Sequence, residues 1–225
     1  MMNKNIFVAC DVSSQKEIID LLELIHEDIS GIKIGLQYIT QRSREEIREL
    51  SKFKKPIFYD GKFFDIKNTL VESVKSLKNF NVNYATVHLL NGLDALKAAN
   101  KAAQEINLNL LGVSVLTSFN DEDLENLGFN DNVEDQIKRL IKIAMEANLH
   151  GVICSPLEIK MIKKIAPNLK CFTPGIRLKE AKDDQKRTMS ANEAIKEGSD
   201  CLIIGRPIIM GNPKENLKNI LSSID

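Results

Sequence analysis

Short apolar runs alternate with longer amphipathic ones eight times along the chain, and few folds accommodate that rhythm. The short runs are IFVAC (6–10), GIKIG (31–35), PIFYD (56–60), YATVHLL (84–90), LNLLGVSVL (108–116), GVICS (151–155), LKCFTPG (169–175) and CLIIG (201–205). Most are continuously apolar rather than alternating, as parallel strands covered on both faces should be. Between them, segments such as QKEIIDLLELI (15–25), IKNTLVESVKSLKNF (66–80) and VEDQIKRLIKIAMEA (133–147) repeat apolar residues every three or four positions. That spacing predicts helices laying one face on a sheet. Eight units in 225 residues give about 28 residues each, the size of a βα repeat. No Gly/Ser/Pro-rich linker divides the chain, so residues 1–225 read as one α/β domain. A closed (β/α)8 TIM barrel fits the count. A doubly wound open sheet fits the composition equally, but usually has fewer strands, and no G-x-G-x-x-G follows the first run.

The formal net charge is zero, so nothing global attracts nucleic acid or an anionic membrane, and an anionic ligand needs a local cluster. No apolar run approaches the ~20 residues of a membrane span. The amino terminus, MMNKNIFVACD, enters a strand-like run almost at once without signal-peptide architecture, which predicts a cytoplasmic protein. Cys10, Cys154, Cys171 and Cys201 sit in or beside apolar runs and lack the close pairing of a zinc or redox motif. They are expected to be buried free thiols of a reducing compartment. With three histidines in all, a multi-histidine metal site is not expected.

Charges collect where strands end. In YDGKFFDIKNT (59–69), Asp60 and Lys62 are two apart and point the same way from an extended strand, with Phe58 filling the layer beneath. By the same parity Phe7, Ala9 and Asp11 share a face, and Lys33 lies between Ile32 and Ile34. Asp11, Lys33, Asp60 and Lys62 are thus predicted around one mouth of the barrel, as an active centre or as structural ion pairs. TPGIR (173–177) follows the seventh strand and GRP (205–207) the eighth, the two loops that grip phosphate in this fold. Arg177 and Arg206 would supply fork-shaped donors there, or else cap loop carbonyls. TSFNDEDLENLGFNDN (117–132) is expected to form a loop with a short helix beside the ligand.

These blocks resemble the orotidine 5'-phosphate decarboxylase family. Its D-x-K-x-x-D-I-x-x-T string is present as Asp60, Lys62, Asp65, Ile66 and Thr69. The likeness extends through Asp11, Lys33, TVH (86–88), VLTS (115–118), TPGIR, DDQKR (183–187) and IGRPI (204–208), nearly the whole chain in order. The resemblance implies a homodimeric barrel that decarboxylates orotidine 5'-phosphate to UMP without metal or organic cofactor, in de novo pyrimidine biosynthesis. It places Asp60 and Lys62 beside the pyrimidine C6, with Lys62 as proton donor to a C6 carbanion. Asp65 and Thr69, with Ile66 between them, come from the partner subunit. Asp11 and Lys33 hold ribose hydroxyls or the charge network, and Thr117 or Ser118 meets the ring. Arg177, Gln185, Gly205 and Arg206 hold the phosphate, with the base as a second contact open to Gln185, and Pro174 is a further substrate-binding residue. The chain departs from the family pattern at Phe64, where His is frequent, at Lys67, where Pro is frequent, at Gly61, and in LLNG after His88.

Two rival readings stand beside this one. Magnesium-dependent 3-keto-gulonate phosphate decarboxylases carry a similar D-x-K-x-x-D string, and a catalytically silent nucleotide-binding barrel would keep the loops. Binding of nucleic acid has little support, because basic residues are interspersed with acidic ones.

Overall fold

The computed structural model describes residues 5–177 and 188–224. Eight strands pair in parallel: β1 (Ile6–Ala9), β2 (Gly31–Gly35), β3 (Ile57–Phe63), β4 (Tyr84–His88), β5 (Asn109–Val113), β6 (Gly151–Ile153), β7 (Lys170–Thr173) and β8 (Cys201–Ile204). Each joins its successor in the chain, and β8 returns to β1 through the register Phe7 to Ile203. That last pairing closes the barrel and excludes the open sheet.

The helices α1 (Gln15–Ile25), α2 (Leu36–Ile39), α3 (Arg44–Glu49), α4 (Lys67–Ser76), α5 (Leu93–Glu105), α6 (Asp121–Asn126), α7 (Val133–Glu146), α8 (Ile159–Ile165), α9 (Ala191–Lys196), α10 (Arg206–Ile209) and α11 (Pro213–Ser223) lie outside it. Several start on side-chain caps. Ser14 accepts from Glu17 N–H at 3.1 Å, and Ser43 with Glu46 forms a reciprocal capping box. Pro213 opens α11, and Asn148 and Gly198 follow helices with φ of 53° and 104°. The one-turn helices α2 and α10 carry no readable period, which is why the sequence pattern does not announce them.

Strand alternation splits the core in two. Ile6, Val8 and Cys10 face the helices, whereas Phe7, Ala9, Phe58, Leu111, Phe172, Cys201 and Ile203 fill the barrel. Phe7, Phe58, Tyr84 and Phe172 meet one another edge-on or tilted, with centroids 5.5 to 6.4 Å apart, and so plug the interior. Room for this comes from Gly31, where a Cβ would stand 2.2 Å from the Phe7 ring. All four cysteines are buried free thiols, as their apolar settings predict. Among the described residues, no helix is long and apolar enough to cross a membrane.

Strand lengths differ from the apolar runs in an instructive way. β4 and β5 stop at His88 and Val113, short of the apolar residues that follow them. β3 does the reverse: it continues past Asp60 to Phe63, so Lys62 belongs to the strand and not to the loop beyond. Burial of its first half carries the strand up to a rim where its second half meets the charges of β1 and β2.

Candidate active site

With the lower barrel filled by aromatic rings, the open space lies at the carboxyl ends of the strands. A cavity of about 530 Å³ there is lined by three kinds of wall. Asp11, Lys33, Asp60 and Lys62 form a charged wall from the first three strands. Val113, Val115 and Ile153 form an apolar one around β5 and β6, and Pro174, Gly175, Arg177, Gly205 and Arg206 close the side of β7 and β8.

The charged wall is a continuous alternating chain. Lys33 Nζ stands 3.1 Å from Asp11 Oδ1 and 3.6 Å from Asp60 Oδ2, and Lys62 Nζ is 2.9 Å from the same Asp60 oxygen. Register explains the convergence: Ala9, Lys33 and Phe58 lie at one level, and Gly35 pairs with Asp60 one step higher. A Cβ on Gly35 would approach Asp11 Oδ1 to 3.0 Å and Lys33 Nζ to 3.1 Å, so glycine there leaves the pair its space. The Lys33 and Asp60 side chains are only 8% and 13% exposed, against 35% for Lys62.

Burial by itself pulls the Lys33 ammonium down, yet the Asp60 and Asp11 carboxylates outweigh it and hold Lys33 above its ordinary value of 10.5. Burial likewise pushes the Asp60 carboxyl up, and Lys33 and Lys62 overcome it, leaving Asp60 below its ordinary 3.8. Both groups are therefore charged at neutral pH. Burial, then the Lys62 charge, lowers the neighbouring His88, which stays neutral. Lys62 is the more exposed cation of the array, and it lines the cavity together with Lys33.

The simple parity expected for Asp60 and Lys62 does not describe how they meet. β3 is irregular between Tyr59 and Phe63, and Lys62 has a left-handed φ of 48°. The rings of Tyr59 and Phe63 stack at 5.9 Å on one side of this irregularity. A Cβ on Gly61 would lie 2.8 Å from the Tyr59 ring. Glycine at 61 thus goes with this ring pair and accounts for the departure noted there in the sequence.

The cavity gathers Asp11, Lys33, Asp60, Lys62, Thr117, Pro174, Arg177, Gly205 and Arg206 from the sequence prediction. Ser118 is exposed outside the lining, so of the two hydroxyl residues only Thr117 faces the cavity. Asp65, Ile66 and Thr69 are also exposed and do not reach their own chain's cavity. Asp65 Oδ1 instead accepts from Ile66 N–H at 2.7 Å, and Asn91 Oδ1 from Asp65 N–H at 3.0 Å. Gln185 lies outside the described residues. The expected loop with a short helix is there, with α6 capped by Asn120 and Asp123.

Some lining residues went unforeseen. Val113 and Ile203 continue the parity of Leu111 and Cys201, so the alternation of β5 and β8 contains a signal for them. Gln37 comes from the unannounced turn α2. Beneath the site, Thr86 bonds both Asp60 and Lys62 and looks in the sequence like any β-branched strand residue.

The fold and this mouth define a (β/α)8 barrel with a lysine–carboxylate centre opposed to two arginine-bearing loops. The model of the "Orotidine 5'-phosphate decarboxylase / HUMPS family" matches residues 4–220. The chain belongs to that family. It is 37% identical over 221 residues to an orotidine 5'-phosphate decarboxylase of Wolbachia pipientis subsp. Culex pipiens, covering 97% of this chain and 98% of the relative. The corresponding protein of Ehrlichia canis is 33% identical, with coverage of 98% and 97%. The crystal structure of orotidine 5'-phosphate decarboxylase from Lactobacillus acidophilus superposes with a TM-score of 0.87 at 27% identity, covering 99% of this chain and all of that one.

Proposed function

We propose that the chain decarboxylates orotidine 5'-phosphate to UMP and CO2, and that the array Asp11–Lys33–Asp60–Lys62 drives the reaction electrostatically. The observation that carries this is the 2.9 Å contact of Asp60 with Lys62 at the edge of a cavity with separate charged, apolar and arginine-bearing walls. A nucleotide fits that division. Its phosphate goes to Gly205, Arg206 and Arg177, its flat ring to Val113, Val115 and Ile153, and its carboxylate to the charges of β3.

Loss of CO2 breaks the bond between C6 and the carboxyl carbon and leaves the electron pair on C6, in the ring plane. No carbonyl is placed to delocalise it, so a fixed positive charge must stabilise it. Lys62 supplies that charge and then gives one N–H proton to C6, completing UMP. Asp60 aims the ammonium through their 2.9 Å contact. The phosphate is remote from the breaking bond, and its binding energy serves orientation.

Purified protein alone is expected to discharge the ultraviolet absorbance of orotidine 5'-phosphate, with CO2 and UMP in equal amounts and no change on adding EDTA. Persistence of the substrate would remove this reading. Loss of turnover with EDTA would favour magnesium-dependent sugar-phosphate chemistry instead.

We further propose that the working unit is a homodimer in which Asp65 and Thr69 complete the partner's site. Their exposure supports this, as do the apolar neighbours Phe64 and Ile66, which are 62% and 74% exposed. Mixing inactive Lys62→Ala with inactive Asp65→Ala in equal amounts should then restore about a quarter of native activity, because about half of all dimers are mixed and each mixed dimer carries one intact site of its two. Equilibrated mixtures that stay inactive would show that each chain builds its site alone.

A further inference from the structure

Thr86 stands in the middle of β4, is fully buried, and faces the irregular part of β3. The ladder opens opposite it. Tyr59 pairs with Ala85 and Phe63 with Val87, so Asp60, Gly61 and Lys62 share a single residue of the neighbouring strand. Such a bulge strips backbone groups of their ladder partners. Lys62 adds a φ of 48°, which a long side chain keeps only where its surroundings hold it.

The Thr86 hydroxyl meets both needs. Its oxygen accepts from Lys62 N–H at 2.8 Å, replacing the missing ladder bond, and it donates to Asp60 Oδ1 at 2.9 Å. The hydroxyl has one proton to give, and that proton goes to the carboxylate. With Oδ1 so engaged, Asp60 Oδ2 turns to the two lysines, 2.9 Å from Lys62 and 3.6 Å from Lys33.

We propose that Thr86 is a positioning residue for the reaction: one buried hydroxyl sets the backbone turn that carries Lys62 and the rotation of the carboxylate that aims its ammonium. Thr86 does not line the cavity and acts through those two residues. The proposal rests on the decarboxylase reading above. If the threonine only packs, a valine of the same shape serves equally well.

Three variants separate the cases. Thr86→Val keeps the shape and removes both bonds, Thr86→Ser keeps the hydroxyl without the methyl, and Thr86→Ala removes both. With fold checked by circular dichroism, Thr86→Val is expected to lower kcat about thirty- to hundredfold with KM within about threefold. Thr86→Ser is expected to stay within about threefold of the native kcat. Native kcat in Thr86→Val, or an equal loss in Thr86→Ser, overturns the proposal. If the valine variant does not fold, alanine against serine makes the same comparison. Crystal structures give a readout that needs no turnover. In Thr86→Val or Thr86→Ala the Asp60–Lys62 contact should open or Lys62 should leave its left-handed conformation, and in Thr86→Ser neither should change. Unmoved residues in all three overturn the proposal. Absence of turnover in the native protein counts only against the decarboxylase reading.

Discussion

Replacing Lys62 by alanine is expected to lower kcat at least about a thousandfold, roughly 4 kcal/mol of barrier, while UMP still binds. The size follows from what the ammonium does. It is the more exposed of the two lysines lining the cavity, and in the proposed reaction it faces the electron pair left on C6 and supplies the proton that completes UMP. Lys33 cannot take its place, because its ammonium lies between Asp11 and Asp60 and its side chain is almost wholly buried. Little stability should be lost, since Lys62 is the more exposed of the two lysines of the array and its removal leaves Asp60 paired with Lys33. Steady-state kinetics with UMP binding by calorimetry separates the outcomes. Turnover within about tenfold of native, with normal UMP affinity, would remove Lys62 as proton donor.

Asp60→Asn is expected to strike activity and stability together. The amide keeps the shape and can still take the Thr86 hydrogen bond, but it no longer neutralises two lysines. Lys62 then loses its anchor, and kcat should fall about a hundred- to thousandfold. Lys33 is left buried with Asp11 alone, and removing one partner of a buried pair costs about 3 kcal/mol. In a chain of this size that lowers Tm by roughly 6–12 °C at neutral pH.

The pH dependence of this loss has a definite sign. Folding holds the Asp60 carboxyl below its ordinary 3.8. Its contribution is therefore complete above that value and disappears as pH falls through the lower folded value. The Tm gap between native protein and Asp60→Asn should be constant from neutral pH down toward 3.8 and should shrink below it. A gap that closes well above that pH would mean the carboxylate is not held by its two lysines.

Much of the molecule is legible in the chain because the relevant signals are local. Helix α1 spans 15–25, as its apolar period indicates, and α7 differs from its apolar pattern by one residue at its end. Asp11, Lys33 and Asp60 follow from strand parity, since a side chain two residues beyond a core position shares its face. Arg177 and Arg206, proposed to hold the phosphate, follow from the order of the units, because loops seven and eight of a closed barrel lie side by side.

Other features depend on neighbours distant in the sequence. Whether eight strands close or stay open is decided at one edge, where Ile6, Phe7 and Val8 pair with Leu202, Ile203 and Ile204. The bulge in β3 exists because Tyr59 and Phe63 stack across Gly61 while Thr86 supplies the missing bond from β4. No property of residues 59–63 taken alone contains it.

The sequence by itself determined the repeat, the longer helices such as α1 and α7, and which charges reach the mouth, because hydrophobic period and parity are written residue by residue. Only the tertiary structure decided how Lys62 is turned, which oxygen of Asp60 receives it, and that Asp65, Ile66 and Thr69 stand outside their own chain's cavity. Those outcomes depend on register and on side-chain contacts between strands, which are properties of the assembled barrel.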